Sequence, residues 1–207
     1  KNQNEFESLY NTAGINIAPG DFSTSSLSNS GEQIALIDAI GTDAHRFKYN
    51  DKDPWPTSPD GDGYSIVLIS PKTIPDHSLP NNWRASTNPG GSPGKGDNTT
   101  FTGNPNADND GDGLTALLEY ALGSLQGDAG FSPEAIPSSG VALIEDGTGN
   151  FKEYLTLTYR RNLAADDILF EVEVSSDLTS WDPLRTTAVS AISNEDGTET
   201  RIWRSLP

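Results

Sequence analysis

The 207-residue chain contains no cysteine. This excludes disulfide bonds, thiol catalysis, and zinc or iron–sulfur sites built on cysteine. No run of residues approaches the roughly 20 apolar residues that a membrane-spanning helix needs, so we predict no membrane insertion. The glycine-rich patterns GxGxxG and GxxxxGK[ST] are also absent, and nucleotide chemistry therefore lacks its usual phosphate cradle.

Positive charge is scarce as well. Thirteen Lys and Arg residues face thirty Asp and Glu residues, which gives a formal net charge of -17. A surface this acidic repels phosphate backbones, so we predict no nucleic-acid partner. Cations are the natural counterpart, and the short segment 104–124 carries acidic residues but no Lys or Arg.

The residues that usually perform catalysis are few. The chain has two histidines, His45 and His77, and no GxSxG nucleophile motif. A Ser–His–Asp triad stays formally possible, but both histidines lie in polar segments and we predict that they are solvated surface residues. We therefore predict no catalytic and no cofactor-binding residues, and no enzyme activity in this chain; a catalytic domain elsewhere in a longer protein stays open.

Residues 108–119 match the calcium-loop pattern D-x-[DN]-x-[DN]-G-x5-E at every specified position. Alternate carboxylates at the first, third and fifth positions converge on one point, and the last glutamate can supply both of its oxygens. A backbone carbonyl at the seventh position completes the protein ligands. The sequence thus predicts a calcium site formed by Asp108, Asp110, Asp112, Leu114 and Glu119.

The surroundings of this loop narrow its role. A helix is predicted from Thr115 to about Leu122, ending at Gly123, whereas residues 99–107 show no helical periodicity. There is neither an entering helix nor a second loop of the same kind. We predict a structural joint that calcium stiffens rather than a sensor; the alternative is an acidic linker that stays solvated.

Two weaker patterns lie upstream. Four aspartates flank Trp55 in one loop, and they form either a second cation site or, as we favour, a pair of tight turns: Asp51, Asp53, Asp60 and Asp62. Trp55 and Trp83 are interpreted as core anchors, with sugar-stacking platforms as the alternative.

Short β-type runs with turns between them dominate the rest of the chain. Residues 65–70 are apolar on both faces and predict a central strand, whereas residues 87–100 predict a linker. Four arginines of the last third are expected at strand ends or on exposed faces among acidic residues: Arg160, Arg161, Arg201 and Arg204. Strands are predicted at 33–40, 46–49, 65–70, 141–144, 151–161, 168–174 and 198–203.

Several motifs in order resemble the later part of a bacterial lamin-tail domain. They are Leu27-Ser-Asn-Ser-Gly-Glu32, Trp55-Pro56, Asp60-Gly61, Asn82-Trp83-Arg84-Ala85-Ser86 and Gly90-Gly91-Ser92-Pro93-Gly94. The resemblance covers residues 22–97 and implies an immunoglobulin-like β-sandwich that serves as an accessory or interaction module. The family's earlier strands are expected before Lys1, as if the chain were a piece of a longer protein.

The segment 104–123 looks like the calcium loop that follows such domains in large secreted or surface proteins of environmental bacteria. The run from Tyr154 to Trp181, especially its part from Val172 onward, resembles a C-terminal β-sandwich module of the same proteins. The resemblance implies an extracellular or cell-surface location and no catalytic residues in the lamin-tail part.

The sequence therefore predicts a mainly β chain with two immunoglobulin-like β-sandwich modules joined by a calcium-binding loop and helix. The predicted boundaries are 1–103, 104–125 and 126–207. The expected function is a calcium-stabilised adhesion, scaffold or partner-binding fragment of a secreted or surface multidomain protein, with a protein or glycan partner at the cell surface. The alternative is an accessory carbohydrate-binding piece of an enzyme whose catalytic domain lies outside this chain.

Overall fold

The computed structural model describes residues 3–17, 26–124, 136–146 and 148–206. Within these residues the strands are all antiparallel and the two α-helices are short, so the prediction of a mainly β protein is confirmed. The helices are α1 (Gln3–Leu9) and α2 (Ala116–Leu122). The strands are β1 (Gln33–Ile37), β2 (Asp43–Lys48), β3 (Ile66–Leu68), β4 (Trp83–Ala85), β5 (Ser138–Glu145), β6 (Phe151–Asn162), β7 (Thr186–Ser193) and β8 (Thr198–Ser205).

The first half contributes two small sheets, β1 with β2 and β3 with β4. The prediction of a central strand over 65–70 is wrong, because β3 has three residues and pairs only with β4 in the described part of the chain. Its chain leaves the extended conformation at Ser70, whose φ is +49°, and enters a 3-10 turn at Pro71–Thr73. Proline fixes its own φ near -65° and lacks an amide donor, so it ends the ladder.

The second half contributes one four-stranded sheet in the order β5-β6-β8-β7. Asp196 and Gly197 lie at the turn between β7 and β8, as the sequence predicts, with φ of +85° at the glycine. Strand β7 itself was not predicted. The described strands form three separate sheets, and the arrangement as two complete sandwiches stays a prediction.

The strand predicted at 168–174 is wrong. This segment crosses the face of the four-stranded sheet as irregular chain, and its one ladder contact is an isolated bridge between Val174 and Asp182. The Phe170 ring stacks on the Tyr159 ring with centroids 5.4 Å apart, and Val172 is buried. The alternation of apolar residues therefore comes from side chains that pack onto the sheet, without backbone pairing.

An aromatic core holds the first half together. Trp55 and Trp83 are 6% and 7% exposed, with ring centroids 6.0 Å apart, which confirms that they are core anchors. The indole N–H of Trp83 donates to the carbonyl oxygen of His77 over 2.9 Å, and Phe47 stacks on the same indole. His45 is exposed as predicted, whereas His77 is half-buried with its ring centroid 4.1 Å from that of His45.

A buried ion pair joins the two halves of the chain. Arg84, fully buried on β4, donates to both carboxylate oxygens of Asp166 over 2.8 and 2.9 Å. It also donates to the carboxylate of Asp97 over 2.9 Å. Burial acts to lower the pKa of Arg84, but hydrogen bonds and charge from Asp166 and Asp97 outweigh it, so this pKa lies above its usual value. Because Asp97 also accepts the amide of Thr87, the predicted linker 87–100 is held against β4.

A second cluster of buried charged side chains lies next to the Arg84 ion pair. Glu199, 1% exposed on β8, accepts a 2.6 Å hydrogen bond from Arg201, and Arg201 donates to the carbonyl oxygen of Trp83. Arg161 lies 3.7 Å from both Glu199 and Asp166. Arg161 lies near the end of β6, as expected, although it is buried. The expectation is wrong for Arg201, which is buried in the middle of β8 and neutralises an acidic side chain inside the protein.

No helix in the described part of the chain is long and apolar enough to cross a membrane.

Candidate metal centre

Three carboxylates converge in the loop that precedes α2. One oxygen each from Asp108, Asp110 and Asp112 lies within 4.8 Å of the others, and the three side chains range from half-buried to exposed. Three like charges this close repel one another unless a cation lies between them. The structure thus brings together the first three of the predicted ligands.

Hydrogen bonds within the loop set this convergence. The Asp108 carboxylate accepts from the amides of Gly111 and Gly113, over 2.8 and 3.2 Å. The Asp112 carboxylate accepts from the amide of Leu114 over 2.7 Å. The chain reverses at Gly113, where φ is +95°, a conformation that a residue with a Cβ rarely adopts. The glycine at the sixth loop position is therefore required by the backbone.

Backbone bonds close the base of the loop. The amide of Ala116 donates to the carbonyl oxygen of Ala107 over 2.6 Å, and the amide of Leu117 donates to that of Pro105 over 3.3 Å. Leu114 is half-buried between the third aspartate and the start of the helix. These backbone hydrogen bonds join the two ends of the segment that carries the three aspartates.

Glu119 is the fourth carboxylate, and its burial distinguishes it from the other three. It lies on α2 and is 1% exposed, and its Oε2 atom is buried with no hydrogen-bond partner in the described part of the protein. Burial raises the pKa of the Glu119 carboxyl, and the charges of Asp110, Asp112 and Asp108 raise it further. A buried carboxylate oxygen without a partner is costly, and it fits a site in which a cation supplies the missing interaction.

Helix α2 connects this loop to both halves of the chain. The Tyr120 hydroxyl donates to the Asp167 carboxylate over 2.8 Å and lies 3.2 Å from the Thr99 hydroxyl. The carbonyl oxygen of Tyr120 accepts from the side-chain amide of Asn162 on β6. The helix ends at Gly123 as predicted, with φ of +76°, and a Cβ there would lie 2.5 Å from the Thr198 side chain. Glu119, the predicted fourth carboxylate ligand, is thus fixed to the four-stranded sheet.

The second acidic loop behaves differently. Among the described residues, the Asp108 group is the one cluster of at least three potential ligands, and it includes none of the aspartates that flank Trp55. Burial raises the pKa of Asp53, and an interaction with the backbone of Ala191 opposes this rise. The Oδ1 atom of Asp51 is buried without a hydrogen-bond partner among the described residues. Because the four aspartates do not converge on one point, the interpretation as tight turns stays favoured for Asp51, Asp53, Asp60 and Asp62.

Sequence reasoning missed the buried ion pairs that join the two halves, because nothing in the local sequence links Arg84 to an aspartate 82 positions away. Comparison of the chain with protein-family models, with curated proteins and with solved structures finds no match in any of the three. The resemblance to a lamin-tail domain therefore stays a prediction.

Proposed function

We propose that the chain binds one calcium ion in the 108–119 loop and that this ion stabilises a non-catalytic β protein. The ligands are the carboxylates of Asp108, Asp110, Asp112 and Glu119, together with the backbone carbonyl of Leu114. The observation that carries the proposal is the buried Oε2 atom of Glu119, which has no hydrogen-bond partner among the described residues. The charges of the three converging aspartates act on this same carboxyl and raise its pKa.

The donor set favours calcium over other metals. All of the proposed ligand atoms are oxygens, which suits a hard cation, whereas copper and zinc sites usually include histidine or cysteine. A twelve-residue loop with a terminal glutamate can supply the 6–8 oxygens that calcium takes, with water at the position of Ala116. Magnesium demands a tighter octahedron and retains several waters, so it fits this loop less well.

The position of the site supports a structural role. Glu119 lies on a helix that is hydrogen-bonded to Thr99 and Asp167 through Tyr120, and to β6 through Asn162. A cation held by both the loop and the helix would fix residues 105–112 relative to the four-stranded sheet. The ion would thereby stiffen the predicted segment 104–125 between the two predicted β modules.

We extend the proposal to the whole chain as an adhesion, scaffold or partner-binding part of a secreted or surface multidomain protein with immunoglobulin-like β-sandwich modules. This part rests on the lamin-tail resemblance of residues 22–97. The burial of Trp55 and Trp83 favours this role over carbohydrate binding, because a sugar needs an exposed ring on which to stack.

The proposal predicts that calcium raises the melting temperature. A ligand that binds only the folded state stabilises it by about 1.4 kcal/mol at ten times its dissociation constant, which corresponds to a shift of about 3–6 °C for a chain of this size. Thermal unfolding followed by circular dichroism, in calcium and then in chelator, measures this shift. For Glu119→Gln, which removes the charged ligand, we expect the two curves to coincide.

The matched control is Glu153→Gln, the same substitution at an exposed position on β6. This variant should retain the full calcium-dependent shift. A wild-type melting curve that is identical in calcium and in chelator would contradict the proposal, as would an undiminished shift in Glu119→Gln.

A further inference from the structure

The outer edge of β5 is an unprotected sheet edge. Its eight residues pair with β6 in unbroken register, and β6 is the one strand paired with β5 in the described part of the chain. Outward-facing N–H and C=O groups along such an edge form a template for another strand. Proteins usually block this with a proline, a lysine or a bulge. Strand β5 has none of these, and its single charge is Glu145 at its end.

The opposite edge of the same sheet, formed by β7, is irregular and partly buried. Strand β7 has a register shift between Ala188 and Ser190, and both Ser190 and Ala191 are buried. Among the described residues, the fold therefore covers the β7 edge of the sheet and leaves the β5 edge unpaired.

Several apolar side chains beside this edge are exposed. Val141 and Leu143 of β5 are 67% and 66% exposed, and they lie on the same face as Leu155 and Phe151 of β6. Glu145 and Glu153 lie on this face as well. Exposed aliphatic and aromatic residues next to a free strand edge are the features of a strand-pairing surface. A strand that pairs with β5 would form backbone hydrogen bonds and would also bury these apolar side chains.

We propose that β5 pairs with β5 of a second copy of the chain, which joins two four-stranded sheets into one antiparallel sheet across a two-fold axis. The pairing is centred on Val141, opposite Val141 of the other copy, so that Leu143 lies opposite Ser139. This register keeps the apolar side chains of both copies on the same face of the sheet.

Charge supports a second copy in this register despite the net charge of -17. Residues 136–144 carry no charge, and Glu145 lies opposite position 137 of the other copy. The two Glu145 carboxylates are then about eight residue positions, or ~27 Å, apart along the strands. This exceeds the screening length of about 8 Å at physiological salt, so the strands meet without like charges in contact.

The absence of cysteine makes a disulfide trap the sharpest test. Directly opposed Cα atoms in antiparallel strands are about 4.5–5.5 Å apart, within the range of about 4.4–6.8 Å that a disulfide spans. Val141→Cys should therefore form a covalent dimer rapidly under mild oxidation. In the same register, two copies of Leu143→Cys place their sulfurs about four residue positions, or ~13 Å, apart, and should form that dimer slowly.

Sedimentation velocity supplies the second measurement. The interface is smaller than a standard one, so we expect a reversible wild-type dimer with a dissociation constant on the order of 10–100 µM. Val141→Lys places like charges directly opposite each other and should weaken association at least about tenfold. Because Val141 is exposed, the melting temperature of this variant measured under monomeric conditions should stay unchanged.

Leu184→Lys and Leu184→Cys are the matched controls, since Leu184 is 86% exposed on a 3-10 turn outside the sheet. The lysine variant should dimerise like wild type, and the cysteine variant should cross-link no faster than Leu143→Cys. A wild-type chain that stays monomeric up to about 1 mM would overturn the proposal and favour a strand of a different protein as the partner. Equal cross-linking rates for Val141→Cys and Leu143→Cys would overturn the register.

Discussion

Replacing Arg84 with methionine is expected to lower the free energy of unfolding by about 3–5 kcal/mol, because removal of one partner leaves buried charges uncompensated. Arg84 is fully buried and donates to Asp166 and Asp97, which are themselves almost fully buried. Methionine fills much of the space but leaves two carboxylates without their cation. Since Asp166 belongs to the second half of the chain, the loss should also loosen the contact between the halves.

Urea unfolding at constant calcium measures this loss. The matched control is Arg46→Met, because Arg46 also binds both oxygens of an aspartate, Asp43, but on the protein surface. Exposed ion pairs contribute little to stability, so the control should unfold almost like wild type. Similar urea midpoints for the two variants would show that the buried pair does not join the halves.

Replacing Trp83 with alanine is the second large prediction, with an expected loss of about 3–5 kcal/mol from the free energy of unfolding. The ring packs against Trp55, Phe47 and His77, so its removal leaves a cavity among aromatic side chains. It also removes the donor to the carbonyl oxygen of His77. Both effects act on the first half of the chain, which has little other apolar core.

Trp181→Ala is the control for Trp83→Ala, because Trp181 is 53% exposed. It removes the same chemical group from a position where water already covers half of it, and the loss should be far smaller. Tryptophan fluorescence gives an independent readout. Trp83→Ala should remove the fluorescence emission of a buried indole ring. Trp181→Ala should remove the emission of a solvent-exposed indole ring. Equal losses of stability would contradict the assignment of Trp83 as a core anchor.

The local features of the 108–119 loop could be predicted from the sequence because their causes are local. Gly113 permits the reversal of the chain, and alternate aspartates place their side chains on one side of it. The helix that follows ends at Gly123, where the positive φ excludes most other residues. Fixed spacing within twelve residues leaves the chain few other arrangements.

The long-range contacts could not be predicted in this way. Arg84 and Asp166 are 82 positions apart, and Arg201 and the carbonyl of Trp83 are 118 apart. In an acidic chain every arginine has many potential partners, and only the fold selects among them. The same limit explains why Arg201 was expected at a strand end or on an exposed face.

The errors in the second half have one physical cause. Apolar alternation over residues 168–174 records which side chains are buried, and burial does not require a paired backbone. Strand β7 has the opposite character, because its small and polar residues give little apolar signal although its backbone pairs with β8. The turn at Asp196 and Gly197 already implied a strand on each side, and that signal could have located β7.

Direct titration of the chelator-treated protein with calcium, followed by calorimetry, is the measurement that tests the account most directly. We predict one ion bound per chain, and no binding at the same calcium concentrations in Glu119→Gln. The dissociation constant is expected at or below about 10⁻³ M, the upper end of the range for extracellular calcium modules. A wild-type protein that binds no calcium at millimolar concentrations, or a Glu119→Gln variant that binds it as tightly as wild type, would contradict the account.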